Sequence, residues 1–269
     1  MLYTFSGGRD GSGPFAGLIF DSSGNLYGTT VSGGAYQDGT VFELTPGAAG
    51  VWTEHVLWDF TGGDNGGSTY SPVIFDAMGH LYGTTRDGGR DNVGVIFELT
   101  PAKGTLKISV LHSFTGGRDG GAPSFGSLKM DTAGNLWGTT AGGGVYECGV
   151  AFMLSQSTGK WEETVIHSFT NADGALPFGS LIFDSDGSLL GTTWEGGDLN
   201  RCSTNGCGVV FKLAPNTNGG WRDTTLHRFV DNPGANPVAG VILDSAGNLY
   251  GTTSGDGNTT FGSVFEITP

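Results

Sequence analysis

One short stretch, residues 194 to 207, concentrates side chains that are suited to chemistry. Trp194 and Glu195 lead it, Arg201 follows, and Cys202 and Cys207 bracket the sequence CSTNGC. A tryptophan in an exposed loop beside acidic and basic groups suits stacking on a sugar ring, with hydrogen bonds to the sugar hydroxyls. The stretch is therefore a candidate ligand-binding site. The competing interpretation is that Trp194 packs on the inserted loop or covers the mouth of a channel.

The two cysteines of this stretch are close enough in sequence to close a short loop as a disulfide. Cys148 has no evident partner. A zinc site would need more ligands than these, since the repeat described below explains most of the histidines. We predict a bond between Cys202 and Cys207, which indicates an oxidising compartment.

Hydrolysis of a glycosidic bond would need two carboxyl groups about 5 to 10 Å apart. Asp87, Glu147 and Glu195 are acids that do not recur at equivalent positions, so they are the candidate catalytic residues if the protein is an enzyme. Arg86 and Asp87 occupy the positions in their repeat that Trp194 and Glu195 occupy in theirs. The candidate ligand-binding residues are Arg86, Asp87, Trp194, Glu195 and Arg201. The separation of the carboxylates depends on the fold.

Aspartates recur beside glycines in the loops, at Asp10, Asp64, Asp119 and Asp173. Oxygen-rich turns of this kind can hold calcium, but no segment matches the spaced ligands of an EF-hand loop. We interpret these aspartates as turn caps. We expect no metal site and no cofactor, with calcium as the alternative.

The chain that carries these residues repeats itself five times. GNLYGTT at 24–30 returns in variants whose GTT glycine falls at 28, 83, 138, 191 and 251, and GTVFELTP at 39–46 returns as often. Each unit reads as four short strands separated by Gly, Pro, Asp and Asn. Four strands in about 55 residues are typical of a propeller blade. We predict an all-β fold, a five-bladed β-propeller with four antiparallel strands per blade.

The two ends of the chain predict how the propeller closes. The fifth unit stops after GSVFEITP without a fourth strand, and the chain begins with an isolated copy of that strand, LYTF at 2–5. An N-terminal strand that completes the last blade would remove exposed sheet edges. We expect a single domain over 1–269, with blades at about 13–60, 68–114, 122–169, 175–229 and 235–269 plus 2–5.

Residues that recur in every unit have a structural interpretation, because no single active site needs five copies. The repeated Asp beside each tight turn is expected to cap it, and the repeated Phe of each third strand to fill the core. Departures from the repeat are the better functional candidates. Unit four carries the main departure, an insertion after its GTT that holds Arg201 and both cysteines. In a propeller this loop and the loop before the first strand emerge on the same face, and binding residues concentrate in such loops.

The charge balance disfavours some partners. A formal net charge of −14 and a pI near 4.5 oppose binding to nucleic acid. No apolar run approaches the roughly 20 residues that cross a bilayer. The N-terminal MLYTFSGGRDG lacks the basic and apolar regions of a signal peptide. We expect a soluble chain with no membrane insertion, from which any export signal has been removed.

The words DSAGNLYGTT and GTVFELTP at this spacing resemble the GloVer tandem-repeat family, named for cyanobacterial and verrucomicrobial genomes. The resemblance covers essentially the whole chain, with departures at Ser188 and Leu190, and at Ser155 and Gln156 where TP is expected. It implies an exported bacterial protein, extracellular or periplasmic. It implies no activity and no catalytic residues, so nothing catalytic carries over.

Three functions are consistent with these observations. The first is an extracellular, non-catalytic binding module that recognises carbohydrate or another cell-surface ligand through the Gly-rich loop face. The second is a glycoside hydrolase or polysaccharide lyase that uses the loop carboxylates, because the innermost strands offer no non-repeated carboxylate. The third is a structural or assembly protein. We favour the first.

Overall fold

The tight turns of the repeat are closed by the aspartates that recur in it. In the computed structural model, which describes residues 1–102, 105–123, 125–231, 234–255 and 261–268, β1 (Ile19–Phe20) and β2 (Leu26–Thr30) are antiparallel. Asp21 Oδ1 accepts hydrogen bonds from the backbone N–H groups of Ser23 and Asn25 at 2.8 and 2.9 Å. Gly24 takes a φ of 85°, which favours glycine. The same caps form at Asp76, Asp131, Asp184 and Asp244.

Each turn begins a meander of antiparallel strands. In the first sheet β3 (Thr40–Pro46) and β4 (Trp52–Asp59) follow β2, and the strand order equals the chain order. The second sheet contains β5 (Ile74–Phe75), β6 (Leu81–Thr85), β7 (Val95–Ala102) and β8 (Thr105–Ser113). The third contains β9 (Lys129–Met130), β10 (Leu136–Thr140), β11 (Val150–Ser157) and β12 (Lys160–Ser168). The fourth contains β13 (Ile182–Phe183), β14 (Leu189–Thr193), β15 (Val209–Pro215) and β16 (Trp221–Arg228). The fifth contains β17 (Ile242–Leu243), β18 (Leu249–Thr253) and β19 (Ser263–Ile267).

The prediction of an all-β five-bladed β-propeller is confirmed. In the described ranges the helical segments are two three-residue 3-10 turns, Ala48–Gly50 and Cys202–Thr204. None of the described helices is long and apolar enough to cross a membrane.

The glycine of each GTT motif is required because a phenylalanine of the neighbouring strand in the same sheet approaches it closely. Gly28 lies opposite Phe42 in the register of β2 and β3, and a Cβ added to it would lie 2.6 Å from the Phe42 ring. Phe42 itself is buried, and the register of β3 with β4 shifts immediately before it. The repeat therefore pairs a residue without a side chain with a phenylalanine that fills the freed space.

The apolar core lies between successive sheets, and the chain forms two compact units, Met1–Thr115 and Gly116–Pro269. In the first unit Phe60, after β4, packs edge-on against Phe97 of β7, with ring centroids 5.2 Å apart. In the second unit Phe169 packs against Phe211, and Phe229 against Phe265, each at 5.0 Å. These aromatic pairs join one sheet to the next, as the repeated Phe positions predict. The assignment of all five blades to one domain stays a prediction, and its last blade includes residues 256–260 and 269, which lie outside the described residues.

The strand predicted at residues 2–5 is not found. These residues have no strand geometry, and the fifth sheet as described has three strands in the order β17-β18-β19. Tyr3 and Phe5 nevertheless pack on the first sheet, and the Phe5 and Phe42 rings are 4.9 Å apart, the same pairing that Phe60 makes with Phe97. Asp10 also holds the segment, because its carboxylate accepts hydrogen bonds from the Ser6 N–H at 2.7 Å and the Tyr3 hydroxyl at 3.1 Å. Side-chain packing and one capped turn therefore order this segment without a ladder of backbone hydrogen bonds.

Candidate functional site

The loop before each inner strand is tied to the loop after each GTT word. In the fourth sheet the backbone groups of Ala175 and Glu195 exchange two hydrogen bonds, at 2.8 and 3.0 Å. The Thr193 hydroxyl, from the GTT word itself, donates to the Glu195 carbonyl at 2.8 Å. Equivalent bridges form at Ser12 and Ser32, Gly67 and Asp87, Gly121 and Gly142, and Ala235 and Gly255. The two loops of each blade therefore lie together, and their backbone is held in a fixed position.

Trp194 lies in one of these bridged loops. Its ring and those of two phenylalanines follow one another in a row. Its ring is 5.6 Å from that of Phe178, at 31° between the planes, and Phe178 in turn meets Phe125 at 5.1 Å. We call Phe125, Phe178 and Trp194 the aromatic row. Phe125 is 40% exposed, while Phe178 and Trp194 are partly buried. The row thus has two partly buried rings, Phe178 and Trp194, and one ring with a surface that faces solvent, Phe125.

The first unit carries a comparable group, which we call the aromatic pair. Phe15, which is 70% exposed, lies 5.8 Å from Tyr70 with the planes inclined at 32°. The Arg86 guanidinium lies over the Tyr70 ring, with Cζ 5.7 Å from its centroid. Arg86 therefore occupies the position that Trp194 holds in the fourth repeat, and both cover the aromatic residue of the preceding loop.

Sequence reasoning missed Phe15, Tyr70, Phe125 and Phe178. A signal for them exists, because GPFAG, TYSPV, SFGSL and PFGSL place an aromatic residue at the same offset before the inner strands of the first four repeats. The fifth repeat has Val238 there. Comparing loop positions across repeats would have identified these aromatic residues, whereas a search for residues that occur only once passes over them.

The predicted acids are placed differently from one another. Glu195 is partly buried beside Trp194, and its Oε1 accepts a hydrogen bond from the Asn205 amide at 3.3 Å. Glu147 is exposed in the loop between β10 and β11. In the described part of the second unit, no hydrogen bond or ion pair connects Glu147 with Glu195. Asp87 lies in the first unit, where its backbone forms the bridge to Gly67. Their catalytic role stays a prediction.

The inserted loop is closed by the predicted disulfide between Cys202 and Cys207, whose Cα atoms are 5.3 Å apart. Arg201 is 53% exposed and reaches Asp198 and Asp231, each at 3.7 Å, so its charge is turned toward these carboxylates. Asp231 also accepts a hydrogen bond from the Cys202 N–H at 2.8 Å. Because the disulfide uses both sulfur atoms, this cluster offers no thiolate to a metal ion.

Burial accounts for Cys148, and turn capping accounts for two of the loop aspartates. The Cys148 thiol is buried, and burial raises its pKa, which keeps it protonated and unreactive. Asp10 and Asp173 cap their turns, as predicted, through hydrogen bonds from the Ser6 and Thr170 N–H groups at 2.7 and 2.8 Å. In the second repeat Asn65 provides this cap in place of Asp64.

One cavity of the second unit lies away from the loops that carry Trp194. It has a volume of about 660 Å³ and lies between the fourth and fifth sheets, where Leu190, Leu243, Leu249 and Ile267 line it. Between the third and fourth sheets Trp221, at the start of a fourth strand, packs on Trp137 at 5.4 Å. The fifth sheet as described has no fourth strand to supply such a tryptophan, so we attribute the cavity to that difference in packing.

Comparison with known proteins identifies the repeat and the fold. Among solved structures, a candidate gluconolactonase is 17% identical at a TM-score of 0.51, and the match covers 93% of this chain and 73% of that one. The extracellular domain of a candidate one-component system of B. thetaiotaomicron is 15% identical at 0.54, covering 92% and 26%. A puromycin-hydrolyzing peptidase of Mycobacterium tuberculosis is 12% identical at 0.54, covering 93% and 36%. The chain thus spans well under half of the last two proteins, and at these identities the likeness shows the fold alone.

The sequence itself is matched at the level of the family. No curated protein matches the chain. A family model described as the Gloeobacter/Verrucomicrobia repeat matches residues 1–203 and, in a second overlapping hit, residues 108–269. Together the two hits extend over the whole sequence, and the chain belongs to the Gloeobacter/Verrucomicrobia repeat family.

Proposed function

We propose that this protein is an extracellular binding module that recognises glycans through its loop face, without catalysis. The observation that carries the proposal is the aromatic row, in which the rings of Phe125, Phe178 and Trp194 follow one another at 5.1 and 5.6 Å. The apolar C–H face of a sugar ring packs well on aromatic rings that are held in place before binding. A row of such rings suits an extended oligosaccharide.

Polar groups beside the row would supply selectivity. Glu195 and Asn205 stand next to Trp194 and are hydrogen-bonded to each other at 3.3 Å, so a sugar hydroxyl could replace either partner. The backbone under Glu195 is fixed by the bridge to Ala175 and by Thr193. A preformed frame lowers the entropy cost of binding.

The aromatic pair is a second candidate subsite. Phe15 presents the larger exposed ring surface, and Arg86 on Tyr70 adds hydrogen-bond donors that suit sugar hydroxyls or a uronate carboxylate. Two subsites on one chain would raise the avidity for repetitive polysaccharides. The Cys202–Cys207 disulfide supports the extracellular or periplasmic location, because such bonds persist in oxidising compartments.

The alternative is a glycoside hydrolase or polysaccharide lyase. The fold does not decide between the two, because its neighbours include both a peptidase and an extracellular domain of a signalling protein. Binding is favoured because the Glu195 carboxylate is engaged with Asn205, while the aromatic row beside it offers ring surface for stacking.

A glycan array at physiological salt tests the proposal. We expect binding to at least one class of polysaccharide, reduced about tenfold or more by Trp194→Ala and Phe178→Leu. Phe20→Ala is the matched control, because Phe20 is an aromatic residue 66% exposed beside the Asp21 turn, outside the loops. Absence of binding to every glycan, or binding that neither loop variant weakens, would contradict the proposal. Release of reducing or unsaturated ends that Glu195→Gln abolishes would establish the enzyme instead.

A further inference from the structure

Three donor side chains from separate segments converge between the third and fourth sheets of the second unit. His167 lies in β12, Asp173 in the loop that follows it, and Asp223 in β16. Their ligand atoms all lie within 4.8 Å of one another. His167 Nε2 and Asp173 Oδ2 are 3.2 Å apart.

One oxygen of this group has no hydrogen-bond partner among the described residues. Asp223 Oδ1 is shielded from solvent and unpartnered, whereas His167 Nε2, equally shielded, is paired with Asp173 Oδ2. A shielded acceptor that lacks a donor is destabilising, and a cation among the three side chains would satisfy it.

The neighbouring contacts orient the donors. The His167 ring packs edge-on against Phe169 at 4.8 Å, with 84° between the planes. Asp173 Oδ1 accepts a hydrogen bond from the Thr170 N–H at 2.8 Å, which turns the other carboxylate oxygen toward His167. Such supporting contacts fix ligand orientation at metal sites.

We propose that His167, Asp173 and Asp223 bind a transition-metal dication of the zinc class. One imidazole nitrogen and two carboxylate oxygens suit zinc better than calcium, which prefers six to eight oxygen ligands. Tetrahedral bonds of about 2.0–2.1 Å place neighbouring ligand atoms about 3.3 Å apart. The His167–Asp173 separation agrees with that value. A neutral imidazole and two carboxylates carry a charge of −2 that the dication balances, and a fourth position stays open to water.

The site would connect two blades, because β12 and β16 are the last strands of neighbouring sheets. Sequence alone predicts no metal here, since His167 recurs at equivalent positions in other repeats. In the N-terminal segment a tyrosine stands two residues before the phenylalanine, where three of the repeats have this histidine. Its hydroxyl, that of Tyr3, donates a hydrogen bond to Asp10 at 3.1 Å.

Calorimetric titration of the full chain with zinc chloride tests the proposal. We expect the wild type to bind one zinc equivalent that is lost, or weakened at least about tenfold, in both Asp223→Asn and His167→Gln. His227→Gln is the matched control, because His227 occupies the equivalent position in β16 and lies outside the three-residue cluster. Calcium chloride should bind at least about tenfold more weakly than zinc at this site.

Thermal denaturation and cobalt spectra provide a readout that does not depend on the stability of the variants. We expect zinc to raise the melting temperature of the wild type, and the zinc-dependent increase to vanish in Asp223→Asn whatever its own melting temperature. Cobalt(II) bound to the wild type should give the visible absorption of a four-coordinate site. A zinc stoichiometry and a zinc-dependent melting shift that are unchanged in both ligand variants, or the absence of any zinc binding to the wild type, would overturn the proposal.

Discussion

At the residue scale, the fourth repeat exchanges one way of holding an aspartate for another. In the first repeat the Tyr27 hydroxyl lies between Asp21 and Glu43, 3.2 and 2.7 Å from their carboxylates. The fourth repeat has Leu190 and Lys212 at these two positions, and the Lys212 ammonium contacts Asp184 at 2.6 Å. The turn aspartate is thus contacted by a tyrosine hydroxyl in the first repeat and by a lysine ammonium in the fourth. A glutamate accompanies the tyrosine, and a leucine accompanies the lysine.

This exchange makes the two positions interdependent. We expect Lys212→Glu to cost about 1–2 kcal/mol of unfolding free energy, because it removes the Asp184 partner and adds a repelling charge. Adding Leu190→Tyr should recover most of the loss, since the tyrosine hydroxyl can then lie between the two carboxylates as it does in the first repeat. Urea denaturation of the two single variants and the double variant measures the coupling. Additive effects would show that the pair is not coupled.

At the residue scale, Glu163 makes the stability of the protein depend on pH. Burial, reinforced by Asp119, raises the pKa of Glu163 to about 7, and its Oε1 has no hydrogen-bond partner among the described residues. The folded state therefore holds a proton on Glu163 between about pH 4.5 and 7 that the unfolded state releases, so this group's contribution to stability falls as the pH rises through that range.

Glu163→Gln should remove this dependence. We expect the variant to be more stable than the wild type at pH 8 by roughly 1 kcal/mol after allowance for partial solvent screening, with the difference vanishing near pH 4. Melting curves at both pH values would measure a difference of about 2 to 4 °C. Glu162→Gln, an exposed neighbour, is the control. A pH-independent difference between Glu163→Gln and the wild type would contradict the assignment.

At the element scale, the last threonine of each GTT word connects a strand to the loop beyond it. The Thr193 hydroxyl donates to the Glu195 carbonyl at 2.8 Å and accepts from the Val209 N–H at 3.2 Å. Thr193 is buried, so both bonds are shielded from water. One side chain therefore sets the position of the loop that carries Trp194 and Glu195.

Thr193→Val should disturb stability and the candidate site together. We expect a loss of about 1–2 kcal/mol, because the Glu195 carbonyl and the Val209 N–H lose their partner while the shape is kept. Any glycan affinity should fall as well, since the loop is no longer held. Thr193→Ser retains the hydroxyl and should stay near the wild type in both assays. Equal loss in the serine variant would indicate that packing of the methyl group, and not hydrogen bonding, holds the loop.

At the scale of the whole molecule, each sheet depends on its neighbours because it cannot bury its faces alone. The N-terminal segment takes part through Phe5, which packs on Phe42 in the first unit. We expect Phe5→Ala to cost about 2–3 kcal/mol and Leu2→Ala, at a residue 49% exposed, almost nothing. Chemical denaturation measures both. Equal effects of the two substitutions would indicate that the segment does not pack on the core.

Sequence alone determined the features that depend on contacts near in the chain. The Asp21 cap joins residues four apart, the disulfide spans five, and the strand spacing recurs five times, so local hydrogen bonding and periodicity were enough to predict the blades. Only the tertiary structure decided where distant segments meet. The aromatic row and the group of His167, Asp173 and Asp223 draw on residues about 50 positions apart, and Phe5 packs on a residue 37 positions away. The repeat can show which positions carry an aromatic or polar side chain, but it does not show which of these side chains meet, because that depends on how the neighbouring sheet packs.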